Sequence, residues 1–270
     1  MARFSRHLEA CRQNPGPDPV HDLRVSIRRL RALFRASRLA CLKTVRPGSV
    51  KSLRGLMGML SRFRDLQVQQ VMLAPLASRF PCLEDYMARL RASEESARNL
   101  LSGRLSSFDE PLLAGEVEAM ATRLGQVSEA GRCGGRAAGR ISDHLAGAHR
   151  RLLSLRSAIE SADPSAIHRL RVAFKKYRYL VEPLAPLSAN PDPSALARMH
   201  DLQGAMGDIQ DLAVLMRGLR SWAAAGDKRQ ECGPALRTLA LSLEDKINGF
   251  RATVAQIDSF VFELGPGNRK

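Results

Sequence analysis

One basic amphipathic segment occurs twice in this chain, and its spacing suits only a helix. His21-Asp-Leu-Arg-Val-Ser-Ile-Arg-Arg-Leu-Arg31 returns 147 residues later as His168-Arg-Leu-Arg-Val-Ala-Phe-Lys-Lys-Tyr-Arg178. At about 100° per residue, His21, Arg24, Arg28 and Arg31 fall within a sector of roughly 80°. Leu23, Ile27, Leu30 and Phe34 fall on the opposite side. His168, Arg171, Lys175 and Arg178 repeat the cationic stripe, with Leu170, Phe174, Tyr177 and Val181 behind it. Periodicity of this kind runs through nearly the whole sequence, and alternating β-branched or aromatic runs are missing, so the chain is expected to be all-α.

Duplication extends past the basic segment. Leu53, Leu56, Met57, Leu60, Phe63 and Val68 form a stripe ending in Arg64-Asp65-Leu66-Gln67-Val68. Met199, Leu202, Gln203, Met206, Ile209 and Val214 match it, ending in Gln210-Asp211-Leu212-Ala213-Val214, at an offset of 146. Two segments at nearly equal separation argue for duplicated halves related by a pseudo-two-fold, residues 1–130 and 133–270, joined at Gly131–Gly135. Pro and Gly at 15–19, 47–48, 75, 81, 111, 131–135, 164, 183–186, 191–193 and 233–234 divide the chain into segments of helical length. Asp18-Pro19 and Asp163-Pro164 read as an N-cap followed by a first-turn proline, one ahead of each basic helix. Segment 136–160 carries Arg136, Arg140, His144 and Arg151 on one side and Ile141, Leu145, Leu152 and Ile159 on the other. Projected back onto the first half it mostly precedes Met1. Only a stub over 2–12, with Phe4, Leu8 and Cys11 as its apolar face, is expected there, so the halves would not receive a ligand equally.

The charge balance narrows the partners. Lys and Arg number 42 against 27 Asp and Glu, a net charge of +15. Such a surplus points to nucleic acid, a membrane surface or polyphosphate. Most of the cations are Arg, whose planar fork grips phosphate oxygens in pairs. A charge run on one helix usually just faces water. Here the run is duplicated with the same angular spacing, and only Asp22 interrupts it, whereas an exposed helix would interleave Glu at i, i+4. Three Tyr and one Trp leave little to stack on bases, which disfavours single-stranded nucleic acid. Cys11, Cys41, Cys82, Cys133 and Cys232 stand singly with no CxxC, so reduced thiols in the cytoplasm are expected rather than disulfides or a zinc knuckle. No signal peptide or membrane span is expected.

His21 and His168 sit in first turns, where exposed amides and the positive end of the helix dipole favour a phosphate oxygen. A capping or packing role is the bland alternative. No nucleophile or acidic metal cluster stands at a fixed spacing from either imidazole, so a non-enzymatic protein without metal or cofactor is expected. Arg64 falls on the apolar stripe with Met57, Leu60 and Val71, and a structural ion pair with Asp65 or another acid is expected for it. Arg54 and His200 stand off-stripe where they could extend a groove; Lys51 and Arg62 are expected to be merely solvated.

The two copies of H-x-LRV-x-x-(R/K)(R/K)-x-R, each followed by (R/Q)D-L-x-V, resemble the CHAD family, the conserved-histidine α-helical domain. The resemblance covers essentially the whole chain. It implies two four-helix bundles around a pseudo-two-fold, together one CHAD domain with a basic central groove. It also implies binding of inorganic polyphosphate and association with polyphosphate granules. The phosphate-facing positions it implies are His21, Arg24, Arg28, Arg31, His168, Arg171, Lys175 and Arg178. Arg29, Lys176, Arg54, Arg64, Arg136 and Arg140 are secondary candidates. Some members carry a triphosphate-tunnel domain with an ExExK motif; the nearest string here is Glu116-Val-Glu118-Ala-Met120, so a stand-alone module is expected. Gln210 departs from the second signature's Arg. RNA or DNA binding through the same surface, and an enzyme acting on phosphate polymers, are the alternatives.

Overall fold

The helical period becomes nine α-helices among the residues that the computed structural model describes, 1–39, 46–129, 134–160 and 163–265. They are α1 (Ala2–Gln13), α2 (Pro17–Leu39), α3 (Pro47–Ala77), α4 (Cys82–Ser106), α5 (Glu110–Glu129), α6 (Gly134–Ser157), α7 (Pro164–Leu184), α8 (Ala195–Ala225) and α9 (Arg229–Thr253). A 3-10 segment, Val254–Ser259, follows α9. Extended pairing among the described residues is limited to an isolated bridge between Ser188 and Leu264. The all-α class is therefore the class observed. Most of the joint foreseen at Gly131–Gly135 lies outside the described residues, as do Cys41 and Cys133.

Helix starts follow local chemistry, with one correction. Asp163 caps α7, accepting from the Ser165 amide at 2.9 Å, and Pro164 follows as the first helical residue. Asp18 is not a cap: α2 already begins at Pro17, and the Gly16 carbonyl accepts from the Val20 amide at 3.1 Å. Asp18 instead lies in the first turn, where its carboxylate faces the positive end of the helix dipole. His21 and His168 are still equivalent, each the fifth residue of its helix. Pro75 and Pro234, read as breaks, lie inside α3 and α9. Each sits within two turns of a helix end, where a lost amide bond disturbs few neighbours.

Packing divides into three cores. Helices α1 to α4 enclose the first, including Phe4, Leu8, Leu23, Ile27, Phe63 and Leu101, with Leu113 and Met120 of α5 against it. Helices α6 to α9 enclose the second, where Leu152, Leu170, Phe174, Met206 and Phe250 meet and the buried Tyr177 hydroxyl donates to the Phe260 carbonyl at 2.7 Å. The third belongs to neither half alone. Leu73, Leu83, Tyr86 and Leu90 from the end of α3 and the start of α4 interdigitate with Leu212, Leu215, Leu219 and Leu239 from α8 and α9. Across the halves α2 packs on α7, α3 on α8 and α4 on α9.

This third core explains why Val71, placed on the α3 stripe with Arg64 by sequence, is instead 70% exposed. Past Phe63, α3 turns from its own bundle to face α8, and the buried line moves to Gln67 and Leu73. Gly218 allows the close approach of α8 to α4: a β-carbon there would stand 2.5 Å from the Tyr86 hydroxyl oxygen. The Tyr86 ring in turn packs against Trp222 with centroids 5.3 Å apart.

Leu219→Ala should lower stability by about 2–5 kcal/mol through an unfilled cavity. Gly218→Ala should cost about 1–3 kcal/mol by displacing Tyr86. Urea unfolding monitored by circular dichroism measures both. Losses below about 0.5 kcal/mol would show that the third core does not hold the halves together.

Candidate anion-binding groove

Helices α2 and α7 bring the repeated stripes together because their other faces are sealed. Leu23, Ile27, Leu30 and Phe34 are buried in the first core, and Leu170, Phe174, Tyr177 and Val181 in the second. With those faces committed, the cationic sides turn toward the crossing. Arg28 donates from Nη1 to the Tyr179 hydroxyl. Arg29 grips Glu182 through Nε and Nη2 at 3.0 and 2.8 Å.

Beside the crossing opens a groove of about 780 Å³, walled by α2, α3, α6 and α7. Of the eight principal positions it gathers Arg28, Arg31, Arg171 and Lys175, and of the secondary ones Arg54 and Lys176. Sequence reading did not nominate Arg35, Arg38 or His144 as ligands, yet all three line it. Arg35 and Arg38 continue the α2 face at helical spacing, a signal that extending the Arg28–Arg31 stripe by two turns would have found. His144 reaches the groove only because α6 packs on α7 and α2.

The inner end of the groove is crowded with like charge. Burial, reinforced by Arg28, Arg171 and Arg24, brings Lys175 down to about 7. Burial and then Arg28 bring Arg24 down to about 10. Two carboxylates border these cations: Asp65 on α3 near Arg24, Arg171 and Lys175, and Asp211 on α8 near Arg171 and Arg24. Asp65 keeps solvent access while protein partly surrounds it, Asp211 is half-buried, and this partial burial raises both carboxyls despite the cations. The Nε atoms of Arg24, Arg28 and Arg171 are buried with no protein acceptor. Such groups cost about 1–3 kcal/mol each until an oxygen meets them.

The remaining predicted positions are dispersed. His21 is exposed at the edge of the cluster, its imidazole held below the usual 6.5 by partial burial and by Arg28. His168 is exposed and does not line the groove. Arg178 turns to α8, donating from Nε to Gln203 at 3.0 Å and lying 4.8 Å from the Tyr179 ring centroid. Arg29 is committed to Glu182. Arg64 is half-buried, and among the described residues neither Asp65 nor another acid is within ion-pair distance of it; Asp65, though next in sequence, diverges because consecutive helical residues point about 100° apart. Arg140 has an interaction of its own and does not line the groove, and Arg136 falls outside the described side chains. His200, Lys51 and Arg62 are exposed and absent from the lining. The Glu116–Met120 string lies within α5, where Glu116 is buried and accepts from the Arg46 amide. Among the described residues no His, Cys, Asp or Glu cluster is arranged to hold a metal ion. No described helix is long and apolar enough to cross a membrane.

No curated protein matches this sequence. A solved structure, the crystal structure of the CHAD domain from the plant Ricinus communis, superposes with a TM-score of 0.64. The likeness covers 94% of this chain and 86% of that one at 22% identity, a level that speaks for the fold alone. The family model described as CHAD domain matches residues 1–220, a span holding both basic helices, both (R/Q)D-L-x-V signatures and every wall of the groove, and the chain belongs to the CHAD-domain family.

Proposed function

We propose that this protein binds inorganic polyphosphate in the groove at the α2–α7 crossing, holding the polymer without cleaving it. The observation that carries the reading is the convergence of Arg24, Arg28 and Arg171, from both halves, with buried Nε groups that no protein acceptor satisfies. A chain of phosphates supplies acceptors at close intervals and a negative charge on every internal unit. Its affinity would come from counterion release and paired Arg contacts. The aromatic ring at the inner end, Tyr179, is buried beneath Arg28 and Arg178, so it offers no platform for a base. Polyphosphate is therefore favoured over RNA or DNA, and attachment to cytoplasmic polyphosphate granules is the setting that follows. The pseudo-two-fold relation of the halves enters here as part of the reading, since it lets both stripes serve one ligand.

Arg28→Glu combined with Arg171→Glu should weaken polyphosphate binding by more than about 100-fold, equivalent to roughly 3 kcal/mol, with unchanged helical content. Binding within about threefold of the parent would refute the site. Long-chain polyphosphate should displace a single-stranded oligonucleotide at lower phosphate concentration than the reverse, and incubation with magnesium should release no orthophosphate.

Affinity should also depend on pH through Lys175. In the empty groove its ammonium persists only below about 7, because burial and the neighbouring Arg28, Arg171 and Arg24 disfavour the charge. A bound anion raises that value, so binding takes up a proton above about 7 and weakens as pH rises further. Titration calorimetry at pH 8 in buffers of different ionisation heat should show this uptake. Lys175→Arg should remove it, and identical uptake in that variant would assign the proton elsewhere.

A further inference from the structure

The two sides of the crossing are built from matching positions but not from matching residues. On one side Arg28 meets Tyr179 and Arg29 meets Glu182. The positions corresponding through the repeat are Lys175 with Ala32 and Lys176 with Arg35, and all four of those line the groove. A small side chain thus stands where the other side has a buried tyrosine, and a cation where it has a glutamate. The stripe ends differ in the same sense. Arg178 is held by Gln203 and by the Tyr179 ring, whereas its counterpart Arg31 lines the groove, and the residue matching Gln203 is Met57. One turn further, Arg38 corresponds to Ala185. Among the described residues Arg31, Arg35, Arg38, Arg54 and Lys176 have no carboxylate partner.

We propose that the groove is one-ended and recognises the terminus of a linear phosphate chain. The terminal phosphate sits at Arg28, Arg171 and Lys175 against Tyr179, and the following units run outward past Arg31, Arg35 and Arg38. This rests on the polyphosphate reading and adds which part of the polymer is held. Charge supports the direction. A terminal phosphate, like a phosphomonoester, bears about −1.5 to −2 at neutral pH and so carries more charge than an internal unit. Arg28, Arg171 and Lys175 crowd together with Arg24 at this end, and Tyr179 and the Arg29–Glu182 pair, which stand beside them, are the side chains that would stop the polymer there. The outward arm from Arg28 to Arg38 covers ten helical residues, about 15 Å. His144 on α6 and Arg54 on α3 wall it, and partial burial together with Arg35 holds the His144 imidazole below its usual range, suiting a neutral hydrogen-bonding group.

The test uses the unaltered protein with long-chain polyphosphate in two forms, one with free termini and one with both terminal phosphates capped by a bulky amine. Capping should weaken binding at least about tenfold, and free chains of increasing length should load about two molecules each whatever their length. Equal affinity for capped and free chains, or loading in proportion to length, would overturn end recognition while leaving polyphosphate binding intact. Failure of free chains of every length to bind would instead overturn the polyphosphate reading, and this proposal with it. Tyr179→Ala with Glu182→Gln should open the inner end and convert fixed loading into loading that grows with length. A variant that folds by circular dichroism and keeps the fixed ratio would remove those two side chains as the stop.

Discussion

Arg24, Arg28, Arg171 and Lys175 repel one another across the α2–α7 crossing, and burial of the opposite faces of the same helices keeps them together. Leu23, Ile27, Leu30 and Phe34 alone are worth roughly 6–12 kcal/mol as an upper estimate of apolar burial. The matching residues of α7 contribute on the same scale. Against this the crowding shows where it is cheapest to relieve, at the amine of Lys175, which gives up its proton more readily than any guanidinium. The centre is consequently charged, strained by its own field and short of acceptors, the condition in which an incoming polyanion gains most.

The cores outside the crossing make that arrangement rigid. If the halves met only through α2 and α7, repulsion between the stripes would tend to part them. The third core, drawn from the far ends of α3, α4, α8 and α9, closes the halves on each other at a distance from the charged centre. The Arg29–Glu182 pair adds a polar link at the crossing, and its partial exposure makes it more a device of register than of stability. The repeated segment gives two cationic ridges, and the matching positions 32 and 179, and 35 and 182, carry different residues.

Much of this was legible before any coordinates. The apolar backs of α2 and α7 were identified residue by residue from angular spacing, as was the face of α1, Phe4, Leu8 and Cys11. Four of the eight principal positions line the groove, Arg28, Arg31, Arg171 and Lys175, and Arg24 stands outside the lining but close enough to act on Lys175. His168 and Arg178 lie on the right face of their helix, but a face is wider than a groove, and neighbours such as Gln203 decide which part is lined. Arg64 does not pair with Asp65 because adjacency along a helix is not proximity of side chains.

Sequence by itself determined that this chain is helical, that one basic segment occurs in it twice and that each copy presents a cationic ridge over an apolar back. Those properties follow from local periodicity, which needs no partner to be read. Only the tertiary structure decided that the ridges converge, that α6 contributes His144, that Arg35 and Arg38 extend one side, and that Tyr179 and Glu182 meet Arg28 and Arg29 on the other. Each of these depends on which helices are neighbours and at what residue they cross. That is set by long-range packing of cores whose pairing no single segment encodes.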